Sequence, residues 1–193
     1  MPGWARLPAE SEAVKVFIGG SRKISRLGAE IRQRIDRMVE KHLPIVVGDA
    51  NGADKAVQRY LHERGHNLVE VFSAEAEPRN NIGGWPVRVI RASHRTKDFD
   101  FYAAKDKAMA SEASVALMIW DGESRGTLLN ILRLVEQRKP AVVWVSPKGS
   151  FLDVRTAATF ELLLADLDRR SRQRFEEQAA SEGLAAVPPL LRA

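Results

Sequence analysis

VVGDANGADKAVQRYL, residues 46–61, runs from one kind of structure into another within sixteen residues. An apolar run stops at Gly48, and a short segment of small and acidic residues follows. Ala53, Ala56, Val57, Tyr60 and Leu61 then recur at helical spacing. Gly65 is expected to close that helix as its C-cap. A strand that enters a helix through a glycine-bearing polar loop is the repeating piece of an α/β fold.

The same piece recurs in both directions. AVKVFIGG predicts a strand over Val14–Ile18, ended by Gly19 and Gly20. A helix is expected from Ser25 to Lys41, with Leu27, Ile31, Ile35, Met38 and Val39 on its buried face. Pro44 stops it, and Ile45–Val47 is the second strand. NLVEVF is the third. Residues 73–98 hold two prolines and two glycines with weak periodicity, too long for a plain connection, and such segments are often functional. Within them VRVI can pair as an edge strand. A helix over Phe99–Ser111 leads to the apolar strand SVALMIW. The helix GTLLNILRLVEQR turns Leu128, Ile131, Leu132 and Val135 inward, Pro140 breaks it, and AVVWV is the fifth strand.

Strands that are continuous apolar runs, each separated by a helix, predict a parallel sheet covered on both faces. The expected fold is an α/β, Rossmann-like three-layer domain over residues 12–150 with a mostly parallel sheet of five or more strands. A C-terminal helical extension over residues 151–182, built around AATFELLLADL, and a tail over residues 183–193 complete the chain. The first ~10 and last ~10 residues are expected to be loosely held.

Composition bounds the partners. In 193 residues, 45% are apolar and 28% charged, and the mean hydropathy is −0.26. No apolar run reaches the ~18 residues of a membrane span, and MPGWARLPAESEAVK lacks the apolar stretch of a signal peptide. A cytoplasmic protein without membrane contact is expected. With no cysteine there is neither a disulfide nor a thiolate zinc site. The net charge of +5 admits polyanions, but the basic residues are dispersed, the densest groups being Arg22–Arg26, Arg88–Lys97 and Arg169–Arg174. Nucleic acid is therefore a third choice of partner.

In open parallel sheets ligands bind beyond the carboxyl ends of the strands. The loops there read GGSRK, GDANGAD and DGESRGT, with PRNN after the third strand. Glycine permits close backbone approach, and a helix N-terminus suits a phosphate. Ser21, Ser124 and Thr127 offer hydroxyls, and Arg22, Arg79 and Arg125 offer forked cationic donors. Asp49 and Asp54 would repel phosphate and suit sugar hydroxyls or a base edge. The bland alternative is that the glycines serve turns and the Asp and Asn residues cap helices.

Other chemistries find no foothold. GDANGADK lacks the Gly-Lys-Ser/Thr of a phosphate-binding Walker loop, and GGSRKISRLG is not G-x-G-x-x-G, so no NAD or other cofactor is expected. HERGH, His62–His66, spells the zinc-protease motif, but Gly65 ends the helix before the second histidine, so no metal is expected. His42 sits at a helix end and His94 in the long loop. There is no G-x-S-x-G.

VFIGGSRK, VVGDANGADKAVQRYL, PRNN and ALMIWDGESRGTLLNILRLVEQRKPAVVW, in that order over about residues 14–146, resemble the SLOG superfamily. This Rossmann-like group includes the LOG phosphoribohydrolases and the Smf/DprA DNA-processing proteins. The resemblance implies a nucleotide-type ligand at Gly19, Gly20, Ser21, Arg22, Gly48, Gly52, Asp54, Arg79, Asn80, Gly126 and Thr127, and the same loops add Asp49, Asn51, Asp121, Gly122, Ser124 and Arg125 as candidate binding residues. LOG enzymes cleave the N-glycosidic bond of a nucleoside monophosphate with the Glu of P-G-G-x-G-T-x-x-E. Here the segment reads WDGESRGTLLN and Asn130 occupies that place, where it cannot carry a proton near neutral pH.

Three functions follow as expectations. The first is binding of a small phosphorylated nucleotide-type ligand, as sensor or carrier. The second is N-glycosidase chemistry with Asp54 and Glu123 as candidate catalytic carboxylates. The third is nucleic-acid binding. Relatives similar to LOG often form homodimers, and Phe160–Leu167 can serve that or cover the sheet.

Overall fold

A computed structural model describes residues 14–91 and 99–184, the latter with side chains from residue 103. Residues 1–13, 92–98 and 185–193, and with them the expectations on both termini and on His94, lie outside the described residues. In chain order the elements are β1 (Val16–Gly20), α1 (Ala29–Glu40), β2 (Ile45–Gly48), α2 (Ala53–Glu63), β3 (Val69–Ser73), β4 (Val87–Val89), α3 (Phe99–Glu112), β5 (Val115–Trp120), α4 (Arg125–Glu136), β6 (Ala141–Val145), β7 (Ser150–Val154), α5 (Ala157–Leu164) and α6 (Arg169–Ser181).

The seven strands form one sheet in the order β4-β3-β2-β1-β5-β6-β7. All neighbours are parallel except β7, which runs antiparallel to β6, with Trp144 opposite Phe151. The fold class read from the sequence is the one observed. β7 was not anticipated. SFLDV is short and half-exposed, and the Ser146–Lys148 helical turn with Gly149 at φ 57° sends it back along β6.

Alternation along each strand divides the core into two layers. Val16, Ile18, Val47 and Val71 pack against Ile31 and Ile35 of α1 and Val57 and Leu61 of α2. Phe17, Val46, Phe72 and Met118 face Met109 and Ala110 of α3 and Leu128 and Leu132 of α4. The C-terminal helices join this second layer through Phe160, Leu163, Leu164 and Phe175. Fully burying side chains of this size contributes about 2–3 kcal/mol each. Phe160–Leu167 thus covers the core with one face, leaving Leu162 53% exposed.

The chain runs outward from β1 to β4, then returns to β5 on the other side of β1. At that switch the connections leaving β1 and β5 diverge and open a crevice above their carboxyl ends. Helix α1 begins at Ala29 rather than near Ser25 because residues 21–28 first cross this region, with Ile24 N–H donating to the Ser21 carbonyl at 3.1 Å.

Two glycines let the backbone close up around the crevice. A Cβ at Gly20 would lie 2.3 Å from the Ile119 carbonyl oxygen, so only glycine lets β1 end this close to β5. Gly52 has φ 85°, and a Cβ there would lie 2.2 Å from the Arg22 carbonyl oxygen. Gly52→Ala combines a left-handed backbone with a backbone clash and is expected to cost about 3 kcal/mol or more in chemical denaturation.

Candidate functional site

Ser21 joins the loops around the crevice. Its N–H donates to the Ile119 carbonyl at 2.9 Å, and its carbonyl accepts from Ala53 N–H at 3.2 Å. Its Oγ lies 3.2 Å from Thr127 Oγ1 and accepts from Asp121 N–H at 3.1 Å. One fully buried serine therefore ties β1 to β5, α2 and the start of α4.

The N-terminus of α4 faces the crevice. Ser124 is its N-cap and accepts from Thr127 N–H, while Thr127 Oγ1 donates to Ser124 Oγ at 3.0 Å. The first amides of a helix have no intrahelical acceptor and carry partial positive charge. A Cβ at Gly126 would meet nothing within 4 Å, so the approach to these amides is open. Arg22, Lys23 and Arg125 line the same opening. Lys23 pairs with Glu123 at 2.5 Å across the rim, both side chains more than 70% exposed (73% and 72%).

The loop after β2 is anchored from beneath. The Asp49 side chain, 3% exposed, accepts from Lys105 Nζ at 2.9 Å, from Arg79 Nη2 at 3.0 Å and Nε at 3.2 Å, from Arg79 N–H, and from Ser73 Oγ. Burial alone would raise its pKa, but Arg79 and Lys105 outweigh it and hold the carboxyl well below the usual range. Asn80 donates to the Asp49 carbonyl at 2.8 Å and to Asn51 Oδ1 at 3.1 Å. Gln58, also buried, donates to the Gly48 carbonyl.

Asp54 stands in the floor beside this anchor. It does not cap α2 but turns back to accept from Ala50 N–H at 3.2 Å. Its pKa is pushed up to about 6, first by burial and also by the neighbouring Asp106 and Asp49, against the opposing pull of Lys105. Burial would lower the pKa of Lys105, but Asp106, Asp54 and Asp49 together raise it, so the ammonium stays charged. The site thus holds a carboxyl that gains and loses a proton near neutral pH next to a fixed cation, a combination found where protons are moved.

The whole cleft encloses about 640 Å³, enough for a mononucleotide-sized molecule. Of the residues expected from sequence, Gly19, Gly20, Arg22, Asp54, Asp121, Glu123, Ser124, Arg125, Gly126 and Thr127 line it. Ser21, Gly48, Asp49, Asn51, Gly52, Arg79, Asn80 and Gly122 are not among the lining residues. Arg79 and Asn80 brace Asp49 from behind, and Gly122, at φ 88°, turns against Pro147. Glu123 sits on the rim, away from the floor where Asp54 lies.

Sequence reasoning missed the wall contributed by α3, namely Ala103, Lys105, Asp106 and Met109, together with Phe17 from β1. One signal was present. Lys105 falls on the stripe shared with Met109 and Ala113, four and eight residues on, and all three are buried. A charge on a core-facing stripe demands a partner, here Asp49. Asn130 lines the cleft as well, donating to Asp106 Oδ2 at 3.3 Å.

The two motif histidines part company as expected. Helix α2 ends at Glu63, Gly65 has φ 65°, and His66 Nε2 lies 2.9 Å from the Leu43 carbonyl oxygen while His62 packs edge-on to Trp85. Among the described residues no group of His, Asp and Glu could hold a metal, and no helix is long and apolar enough to cross a membrane. Comparison with protein-family models, with curated proteins and with solved structures returns no match.

The raised Asp54 pKa has a consequence for stability. The folded state binds this proton more tightly than the unfolded chain, so the contribution weakens as pH rises from about 4 through about 6 and is constant above. Asp54→Asn removes that penalty. It is expected to stabilise the protein by about 2 kcal/mol at pH 8 and by almost nothing near pH 3.5, measured by urea denaturation at both pH values.

Proposed function

We propose that the cleft binds a nucleotide or nucleotide-derived ligand, its phosphate at the N-terminus of α4 and its sugar and base toward Asp54, Asp106 and Asn130. The observation that carries this reading is the polarity of the cleft. One end offers helix amides, two hydroxyls and the cations Arg22, Lys23 and Arg125, which outnumber the carboxylates Asp121 and Glu123 there, and the other offers Asp54 and Asp106 with Lys105 beside the apolar Phe17 and Met109. A ligand that fits both ends is anionic at one and rich in hydroxyl or amino donors at the other, with a flat apolar part between. The order of the glycine motifs, which resembles that of the SLOG superfamily, supports the same reading, and membership of that superfamily is part of the proposal.

Binding is tested by calorimetry and thermal shift with nucleoside mono-, di- and triphosphates, NAD and ADP-ribose. Saturable binding of at least one is expected. Gly126→Ala is the sharpest variant. Its methyl enters open space, and alanine suits a helix better than glycine by about 0.5–1 kcal/mol, so Tm should hold or rise while binding falls at least tenfold. No binding of any of these by the native protein would remove the proposal. Binding that ignores mononucleotides and falls steeply with salt would point to nucleic acid instead.

A second reading, hydrolysis of an N-glycosidic bond, is favoured by Asp54 alone. Its proton would pass to the leaving base as the C1′–N bond breaks, the Asp106 carboxylate would face the positive charge growing on the sugar, and water would add at C1′ and return a proton to Asp54. The products are free base and ribose phosphate. Base release should decline above pH ~6 as Asp54 ionises. Asp54→Asn should abolish release while still binding the nucleotide, though more weakly, whereas Glu123→Gln at the rim should release base at nearly the native rate. Binding without release leaves the first reading standing alone.

A further inference from the structure

A second buried polar cluster lies behind the cleft, between α4 and the end of α6. Arg133 and Glu182 are its centre, their side chains 3% and 2% exposed. Arg133 Nη2 donates to Glu182 Oε2, and its Nη1 donates to Asn130 Oδ1 at 2.5 Å. Lys107, adjacent to Asp106 on α3, reaches the same Glu182 oxygen at 3.4 Å. Chain order aside, the contacts run in a line from the C-terminal helix to the cleft: Glu182, Arg133, Asn130, Asp106.

This arrangement is a poor stabiliser. Glu182 is the C-cap of α6, where the helix dipole disfavours a negative charge. Its Oε1, Gln178 Oε1 and Arg133 Nε are buried without a hydrogen-bond partner among the described residues. Buried ion pairs contribute little net stability even when fully satisfied, and their best-attested use is to select one conformation.

The conformation selected here is that of a side-chain amide. An asparagine can turn either its oxygen or its nitrogen toward the cleft. Arginine only donates, so Arg133 holds the Asn130 oxygen, and the nitrogen must face Asp106, as observed at 3.3 Å. Resting on the nucleotide reading above, we propose that Glu182 and Arg133 are positioning residues, which fix the Asn130 amide so that the cleft presents an N–H donor beside the Asp106 carboxylate. A ligand group with an acceptor next to a donor, such as a ribose diol or a base edge, is matched by that pair. The C-terminal extension is then part of the recognition apparatus and not only a cover for the core.

The test replaces both ions by apolar residues of similar length, Arg133→Met with Glu182→Met, which should keep packing and leave no buried unpaired charge, since Lys107, which loses Glu182, is half-exposed. In the native protein, the Asn130 side-chain amide proton that is bonded to Asp106 is expected to be protected from solvent exchange by NMR. In the double variant it should exchange at least tenfold faster, while the backbone amides of Leu117 in β5 and Ala179 in α6 keep their protection. Affinity for adenosine 5′-monophosphate should fall about tenfold, as for loss of one hydrogen bond, and should fall no further when Asn130→Ala is added. Should the double variant not fold, Arg133→Lys serves instead, since one ammonium cannot span Asn130 and Glu182, and the same changes are expected.

Unchanged Asn130 exchange in the variant that folds overturns the inference even where the nucleotide binds normally. Failure of the native protein to bind any of the nucleotides tested above, NAD and ADP-ribose included, removes the nucleotide reading, while the exchange measurement still decides whether Glu182 and Arg133 hold the amide.

Discussion

The buried charge of Asp49 is the constraint on which the site depends. A carboxylate taken out of water must be paired and hydrogen-bonded, or it costs several kcal/mol. Asp49 meets that demand by recruiting Ser73 from β3, Arg79 from the segment after it and Lys105 from α3. Each partner comes from a different part of the chain, so satisfying one carboxylate fixes the backs of three elements around the end of β2. Lys105, once held, also acts on Asp54 through its charge, so one ammonium favours the ionised form of both carboxyls, Asp49 in direct contact and Asp54 at longer range. Removing Asp49 would take from Arg79 and Lys105 the carboxylate that they share and loosen the cleft wall.

Two aspartates five residues apart, Asp49 in the loop after β2 and Asp54 in the first turn of α2, thus end in opposite states. Asp49 is surrounded by donors, so its charged form is favoured. Asp54 has one backbone N–H and a distant share of Lys105, with Phe17 and Ala53 close by, so burial dominates. The separation of pKa values is produced by environment, not residue type, which is how acids of the same kind come to do different work.

Much of the architecture was legible because buried parallel strands are written as apolar runs, from VFI to AVVWV, and because Pro44 and Pro140 mark where helices must have ended. β7 was illegible for the opposite reason: as an antiparallel edge, one face open, it carries Ser150 and Asp153 among its five residues and resembles loop. The loops that line the cleft were recognisable from glycines followed by helix starts. The α3 wall was not, since Lys105 and Asp106 reach the site by tertiary packing over long sequence distances. Arg79 and Asn80 illustrate the converse. Their chemistry suits a ligand, but the nearest unmet demand was Asp49, and sequence does not rank demands by distance.

The contact between Gly52 and the Arg22 carbonyl has a thermodynamic consequence. Two loops that meet backbone to backbone, with no room for a methyl group between them, cannot shift independently, and Ser21 adds the β5 connection to the same rigid unit. The loops on one side of the cleft are therefore ordered before anything enters it. Their conformational entropy is surrendered when the chain folds, and association can proceed without a second ordering cost, which makes even a small ligand able to bind tightly through few contacts.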